Sequence, residues 1–315
     1  MTKRTTRLIK WIFLILSLIA VITFFFIFSS SLILTRTSEN NKSAYNTNDN
    51  CLYHIIITGT YENQSFLTAL YNGASKNAER YNSLVELVVP QSQADMASIQ
   101  SLLDYSSYLN VDGIIAYIDS PEDAPILLRR FDEPQIPIVT TGQFAVNVPQ
   151  ISYIGINNWE FGKKIAEETE SFIPDGGNVF IINTSESTNS LNLISSLQSA
   201  LLENSGIKSE VIPKITPFLK FKNGKNVFIT LTEEETIASA QILAEQYINE
   251  DYTLIGYGGN EVCQLYLQKG WIHELFSLKP EEIGEAAMKE LFEYRNKGHA
   301  NSYITADVRI GRTLQ

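Results

Sequence analysis

Residues 52–81, with the sequence LYHIIITGTYENQSFLTALYNGASKNAERY, decide the fold of this chain. The segment opens with an apolar run rich in β-branched residues, which predicts a strand buried on both faces. A polar loop follows at 58–64. Beyond it, Phe66, Leu70, Ala74, Asn77 and Tyr81 recur at helical spacing, with Ser65 as a suitable N-cap. The segment is therefore one strand, one loop and one helix of a parallel α/β sheet.

The loop of this unit is the first place to expect a binding site. Ligands of open parallel sheets sit outside the carboxyl ends of the strands, and residues 60–66 follow such an end. The loop carries an amide, hydroxyls and aromatic rings. These groups suit a neutral polyol better than a phosphate.

Charge and cysteine content narrow the classes of protein. The chain has 315 residues, a formal net charge of −11 and two cysteines, Cys51 and Cys263. This length accommodates a membrane segment and two domains of ordinary size. The acidic balance argues against a nucleic-acid partner, which needs a basic face. Two distant cysteines are too few for a disulfide scaffold, and we expect buried or idle thiols.

The N-terminus predicts a membrane anchor. A basic flank at 1–10 precedes an apolar run from Trp11 to Leu34 that contains no charged residue. The run is long enough to span the lipid bilayer, and the basic flank should stay in the cytoplasm, which places the rest outside. Polar residues 35–50 predict a flexible tether. A cleaved signal peptide is the alternative, although the segment has no Ala-x-Ala site.

Strands and helices alternate after the tether. The first half predicts strands at 52–57, 84–89, 113–118 and 136–140, with helices at 65–81, 95–108 and 122–131. The pattern restarts with strands at 151–156, 178–183, 208–212, 227–231, 254–257, 272–277 and 302–309, and helices at 159–172, 189–203, 233–249, 261–268 and 280–296. Two similar α/β lobes are expected, each a doubly wound parallel sheet, because parallel neighbours need helical crossovers. One crossover breaks the pattern, since Pro213, Pro217 and Gly224 argue against a helix between 212 and 226.

From residue 52 onward, the chain resembles the type I periplasmic binding proteins, and within them the branch that binds ribose and galactose. Seven motifs occur in the order of that family and together extend over residues 62–308. They are ENQSFL with NGA (62–74), VDGII (111–115), QIPIV (135–139), IGINNWEFG (154–162), LIGYGG (254–259), PEEIG (280–284) and YITADV (303–308). The family also contains repressors with an N-terminal helix-turn-helix, but here an apolar segment occupies that place.

The resemblance implies two lobes joined by crossover strands, with a sugar held in the cleft. The first lobe would comprise 52–141 plus 279–304, and the second 142–278 plus 305–315. Rings would stack on the faces of the sugar, while amides and carboxylates would bond its hydroxyls. The predicted ligand-binding residues are Tyr61, Gln64, Phe66, Asp119, Asn192 (or Asn189) and Glu234. Structural alternatives stand beside these roles: Phe66 could be a core residue, and Asp119 or Glu234 could serve a helix N-terminus.

Three departures from the family pattern concern the ligand rather than the fold. Gly258 stands where the family has an aspartate. The usual arginine of the second lobe is absent, with leucines on both sides of Asn192. The helix missing after Ile212 often supplies an aromatic contact. The resemblance therefore implies the fold and leaves the ligand open.

The expected function is binding rather than catalysis. The sequence has no metal-ligand spacing, phosphate-binding loop or dinucleotide fingerprint, so no cofactor and no enzymatic activity are expected. The leading interpretation is a membrane-anchored extracytoplasmic sugar-binding protein that serves an ABC-type importer, with the permease as its partner. The alternative is a ligand sensor that signals to a membrane histidine kinase. A third possibility is a non-binding interaction domain on the same scaffold.

Overall fold

The computed structural model describes residues 53–90, 109, 111–122, 124–128, 136–216 and 218–313. The predicted basic flank, membrane anchor and tether, and the helix predicted at 95–108, lie outside the described residues. Across the described ranges, no helix is both long and apolar enough to cross a membrane. Leu52–Gln315 forms one compact unit.

Twelve strands and seven α-helices make up this unit in the part of the chain that the structure describes. The strands are β1 (Tyr53–Thr58), β2 (Ser83–Val88), β3 (Gly113–Ile118), β4 (Ile138–Gly142), β5 (Gln150–Gly155), β6 (Gly177–Ile182), β7 (Ile207–Ile212), β8 (Asn226–Thr230), β9 (Tyr252–Tyr257), β10 (Glu274–Leu278), β11 (Tyr303–Thr305) and β12 (Val308–Arg312). The helices are α1 (Gln64–Lys76), α2 (Ala124–Leu128), α3 (Asn158–Phe172), α4 (Thr188–Leu201), α5 (Glu233–Gln246), α6 (Glu261–Gln268) and α7 (Pro280–Lys297).

The strands form two six-stranded sheets whose five central strands follow the same order. Their orders are β11-β5-β4-β3-β1-β2 and β12-β10-β9-β8-β6-β7. All neighbours in the first sheet are parallel. In the second sheet only β12 runs antiparallel, against β10. The predicted pair of similar α/β halves is confirmed, and the antiparallel end strand departs from the predicted all-parallel sheet.

Both faces of each sheet are buried, which explains the apolar runs in the sequence. In β1, Ile55 and Ile57 pack under α1 and α7, while Ile56 faces the opposite side with α2. In β6, Val179 packs under α3 and α4, while Phe180 faces α5 and α6. Successive side chains of a strand point to opposite faces, so each of these strands needs apolar residues on both faces.

Two boundaries differ from the sequence expectation. The predicted first lobe ended at 141, but β5 pairs with β4 and extends the first sheet. The chain passes to the second sheet only after Gly155. The single strand predicted at 302–309 is two strands, since β11 pairs with β5 in the first sheet and β12 pairs with β10 in the second. Strand partners are set by tertiary packing, which a local apolar pattern does not encode.

The expected loop between β7 and β8 is confirmed, because none of the residues described between Ile212 and Asn226 is helical. Leu219 and Phe221 pack against the core beneath α5 and α6. The Tyr247 hydroxyl donates hydrogen bonds to the carbonyls of Thr216 and Leu219, at 2.6 and 3.1 Å. The loop thus covers this sheet face with its own apolar side chains.

Helices α1 and α7 approach each other closely through two glycines. A Cβ on Gly73 would collide with the backbone carbonyl of Glu281, and a Cβ on Gly284 with that of Leu70. Because both obstacles are backbone atoms, a rotamer change cannot relieve the collision. This contact holds α7, which follows the second sheet, on the first sheet.

We therefore expect Gly284→Ala to lower the melting temperature by several degrees. Overpacking of this kind costs about 1–3 kcal/mol, although alanine gains about 1 kcal/mol over glycine in a helix. Thermal unfolding followed by circular dichroism measures the shift. The matched control is Lys289→Ala on the exposed side of the same helix. Equal melting temperatures for the two variants would show that the helices can separate without cost.

Candidate functional site

The carboxyl ends of the two sheets face one cavity of about 670 Å³. Both sheets have the central order 2-1-3-4-5, for which ligands bind where the strand order reverses. The loops after β1 and β3 supply one wall, and those after β6 and β8 supply the other. The volume lies within the range of about 300–1,000 Å³ that is common for small-molecule sites.

Aromatic rings form the apolar part of the lining. The rings of Phe66 and Tyr117 meet edge to face with their centroids 5.3 Å apart. On the other sheet, Phe161 and Tyr257 meet edge to face at 6.0 Å. Such pairs fix the orientation of each ring, so the cavity has rigid apolar walls.

The tyrosines of the lining are held as neutral phenols. Burial is the main cause that raises the pKa values of Tyr117, Tyr153 and Tyr257 above their usual range. The Tyr153 hydroxyl donates to the Gly142 carbonyl at 2.9 Å. Phenols that stay protonated can donate as well as accept hydrogen bonds.

A buried amide links the two walls. Asn189, at the start of α4, donates from Nδ2 to the Phe144 carbonyl at 3.0 Å and accepts from Asn158 Nδ2 at 3.2 Å. Phe144 lies in the loop between β4 and β5, so the first of these bonds joins the second sheet to the first. Asn189 is only 8% exposed, and its amide therefore holds the walls together away from solvent.

Carboxylates are prominent among the polar groups of the lining. Asp119 follows β3, and partial burial raises the pKa of its carboxyl. The charge of Glu62 acts in the same direction, while a hydrogen bond with the Asn63 side chain opposes it. On the other wall, Glu233 and Glu234 open α5. The Glu233 carboxylate accepts hydrogen bonds at Oε2 from the backbone N–H groups of Gly259 and Asn260, at 2.8 and 2.9 Å.

Two basic side chains also line the cavity, near the passages between the sheets. Lys279 lies between β10 and α7. Its Nζ is 3.0 Å from the Glu282 carboxylate and 3.9 Å from the Asp307 carboxylate. Arg309 stands on β12, opposite Ser277 of β10. The described residues contain no group of acidic, histidine and cysteine side chains that could hold a metal ion.

The structure brings three of the predicted site residues to the cavity. Phe66, Asp119 and Glu234 line it. Tyr61, Gln64 and Asn192 are exposed side chains that are not part of its lining. Gln64 is the first residue of α1 and borders a shallow surface groove instead.

The first turns of α4 line the cavity through Asn189, Ser190 and Leu193. Asn189 is the alternative at this place in the sequence. Asn192 lies outside the arc of the helix that these three residues span, and its side chain is exposed.

Sequence reasoning missed several residues of the lining. They are Tyr117, Phe144, Tyr153, Asn158, Phe161, Tyr257, Lys279 and Arg309. A signal existed for Tyr117 and Tyr257, which lie at or next to the carboxyl ends of β3 and β9, where the open-sheet rule places ligands. Glu233 also lines the cavity, but an acidic residue in the first turn of a helix is equally typical of one that complements the helix N-terminus.

Solved structures share this fold across most of the chain. GanP, a glucose-galactose binding protein from Geobacillus stearothermophilus, is 19% identical with a TM-score of 0.70, over 82% of this chain and 97% of that one. A sugar ABC transporter (sugar-binding protein) from Bacillus halodurans is 14% identical with a TM-score of 0.75, over the same shares. XylFII in its complex with LytSN is 18% identical with a TM-score of 0.65, again over 82% and 97%.

A comparison with the curated proteins finds no match. The family model described as a periplasmic binding protein domain matches residues 55–298, which is most of the chain. The match reaches from β1 to α7, includes parts of both cavity walls, and confirms the resemblance that the sequence motifs indicated. The chain therefore belongs to the periplasmic binding protein family, with the type I fold.

Proposed function

We propose that this protein binds a sugar outside the cytoplasm, is held to the membrane by residues 11–34, and delivers the sugar to an ABC-type importer. The observation that carries the proposal is the cavity between the two sheets, where rigid aromatic rings alternate with amides, hydroxyls and carboxylates. A sugar has apolar C–H faces and a polar rim of hydroxyls. The rings match the faces and the polar side chains match the rim.

Polar matching would set the specificity. A buried hydroxyl left without a partner costs about 1–3 kcal/mol, so a sugar with one inverted hydroxyl is rejected where the site is built to pair that group. Asp119 and Glu233 offer acceptors from opposite walls, and Asn158 offers an amide. Phe66, fixed against Tyr117, would stack on the sugar ring.

The names of similar structures support a sugar ligand. The matched structures include the glucose-galactose binding protein GanP and the arabinose-binding protein AraP. One solute-binding protein was solved with D-arabinose and another with α-D-tagatopyranose. The identities of 14–19% leave the particular sugar open.

Sensing is the second candidate for the role. One similar structure, XylFII, was solved in complex with another protein, LytSN. A receptor kept at the membrane could likewise transmit its closed state to a membrane histidine kinase. In either role, the ligand shifts the protein only by its differential affinity for the closed state. Neighbouring genes separate the roles: a permease and ATPase accompany an importer, and a kinase and regulator accompany a sensor.

A thermal-shift screen tests whether the cavity binds sugars. Residues 48–315, which contain the compact unit, are heated with pentoses, hexoses and furanoses. We expect at least one sugar to raise the melting temperature, because ligand at 100 times its dissociation constant adds about 2.7 kcal/mol to stability. Trimethylamine N-oxide, an osmolyte without hydroxyl groups, controls at equal concentration for general solute effects. If no sugar shifts the transition beyond this control, the non-binding interaction domain becomes the better explanation.

Phe66→Ala should weaken binding of the sugar found in that screen by at least tenfold, which is about 1.4 kcal/mol. The variant removes the stacking surface and leaves the polar lining in place. Isothermal titration calorimetry measures the dissociation constant. Tyr61→Ala is the matched control, because it deletes an exposed ring three residues before α1 that does not line the cavity. A lower melting temperature with an unchanged dissociation constant would assign Phe66 to the core.

The proposed anchor is tested by alkaline extraction of membranes. The mature chain should stay in the pellet, because an apolar segment of this length partitions into the bilayer. A variant that begins at residue 48 should appear in the supernatant and serves as the control. Release of a chain shortened by about 30 residues, the length of a signal peptide, would replace the anchor by a cleaved signal.

A further inference from the structure

Glu233 has the geometry of a preorganised hydrogen-bond acceptor. Two backbone N–H groups, of Gly259 and Asn260, hold its Oε2 at 2.8 and 2.9 Å. Hydrogen bonds from two adjacent amides fix a carboxylate in position without the need for a cation. Both bonds fall on Oε2, so Oε1 retains its acceptor sites. This differs from Glu234, which is exposed at the same cavity wall.

Gly258 leaves the room that Glu233 occupies. A Cβ at position 258 would lie 2.9 Å from Glu233 Cγ and 2.8 Å from Cys263 Sγ. Its φ of +157° also lies at the edge of the region that disfavours side chains. A side chain at 258 and the present conformation of Glu233 therefore exclude each other. The carboxylate at this end of the second sheet comes from the start of α5, after β8, and not from the end of β9.

The electrostatic influence of Glu233 reaches both walls. Its charge contributes to the raised pKa values of Tyr257 on the same wall and of Tyr117 on the opposite wall. It also contributes, after burial, to the pKa of about 12 of the Cys263 thiol. Asp119 acts on Tyr117 in the same direction. The two carboxylates thus line opposite walls of the same cavity.

The charged side chains of the lining determine which net charge a ligand can carry. Five acidic side chains line the cavity: Glu62, Asp119, Glu233, Glu234 and Glu281. Of the two basic ones, Lys279 is already paired with Glu282 and Asp307, which leaves Arg309. An anionic ligand would meet repulsion here, whereas hydroxyl or ammonium groups would find acceptors.

We propose that Glu233 is the principal hydrogen-bond acceptor of the cavity, held by the backbone of Gly259 and Asn260, and that it selects polyols that present hydroxyl or ammonium groups and no anionic group. This inference rests on the proposed sugar-binding function and names a residue and a ligand class for it. Glu233, not Glu234, is the carboxylate that bonds the ligand from the second sheet.

Calorimetric titration of the full-length chain in lipid nanodiscs tests the inference. The probes are D-glucose, D-galactose, L-arabinose and D-xylose, with D-glucosamine and D-glucuronate as charged analogues. We expect Glu233→Gln to raise the dissociation constant of the best neutral probe at least tenfold. Glu234→Gln should change it less than threefold. The second variant removes the same charge one residue further along α5 and is the matched control.

Two further measurements complete the test. Glu233→Asp keeps the charge, but its side chain is too short to reach the backbone N–H groups of Gly259 and Asn260 in the same way. This variant should therefore also bind the neutral probe at least tenfold more weakly. The melting temperature of the free protein is recorded for every variant. In the unmodified chain, D-glucosamine should bind at least as tightly as D-glucose, and D-glucuronate at least tenfold more weakly.

The outcomes separate this inference from the proposed function. If none of the probes binds the unmodified chain, the sugar-binding function is overturned, and the role of Glu233 with it. If a sugar binds but Glu233→Gln and Glu234→Gln behave alike, sugar binding stands and the assignment to Glu233 is wrong. Tight binding of D-glucuronate would overturn the ligand class alone.

Discussion

The structure depends on one constraint: the central strands of both sheets are buried on both faces. Ile55, Ile56 and Ile57 show it within one strand, because all are at most 2% exposed although consecutive residues face opposite sides. In a strand of this kind, most positions must be apolar, because a buried polar group costs free energy unless it is hydrogen-bonded. Helices must then cover both faces, and parallel pairing with right-handed crossovers is the arrangement that places them there. Polar chemistry is thereby displaced to the loops at the strand ends.

Because both sheets have the same central strand order, the polar loops of both border a single cavity. Each sheet reverses its strand order between the first and third strands of its half, and the crossover loops diverge at that point. Because the chain passes between the sheets after β5, after β10 and after β11, the two sets of loops border one cavity. Asn189, bonded to the Phe144 carbonyl, shows how close the walls come. Where the chain passes between the sheets, backbone hydrogen bonds also hold it, such as the bond from the Ala306 N–H to the Gly155 carbonyl at 2.8 Å. These bonds need no particular side chain.

Periodicity and turn residues were enough to predict the elements but not their partners. The helix predicted at 261–268 has those bounds, and the helix predicted at 280–296 differs by one residue, because asparagine and proline mark their starts. The sheet to which β5 belongs could not be predicted, since its apolar run would suit either sheet. In the site, the resemblance to the family indicated Phe66, Asp119 and Glu234, which follow strand ends and line the cavity. An alignment does not show which residues of a helix face a cavity, so Asn192 was predicted with Asn189 as the alternative, although only Asn189 lines the cavity.

The ligand is harder to predict than the fold because a polar group can move between neighbouring strand ends without disturbing either strand. In the sequence, Gly258 stands where the family that the chain resembles has an aspartate, which suggests that a carboxylate has been lost. In space, the Glu233 side chain lies within 3 Å of where a side chain at 258 would begin. The apolar strands β8 and β9 are adjacent and parallel, so their ends open on the same part of the cavity. The fold therefore depends on the apolar pattern, while the carboxylate at this edge of the second sheet, Glu233, comes from a different loop than the one that contains position 258.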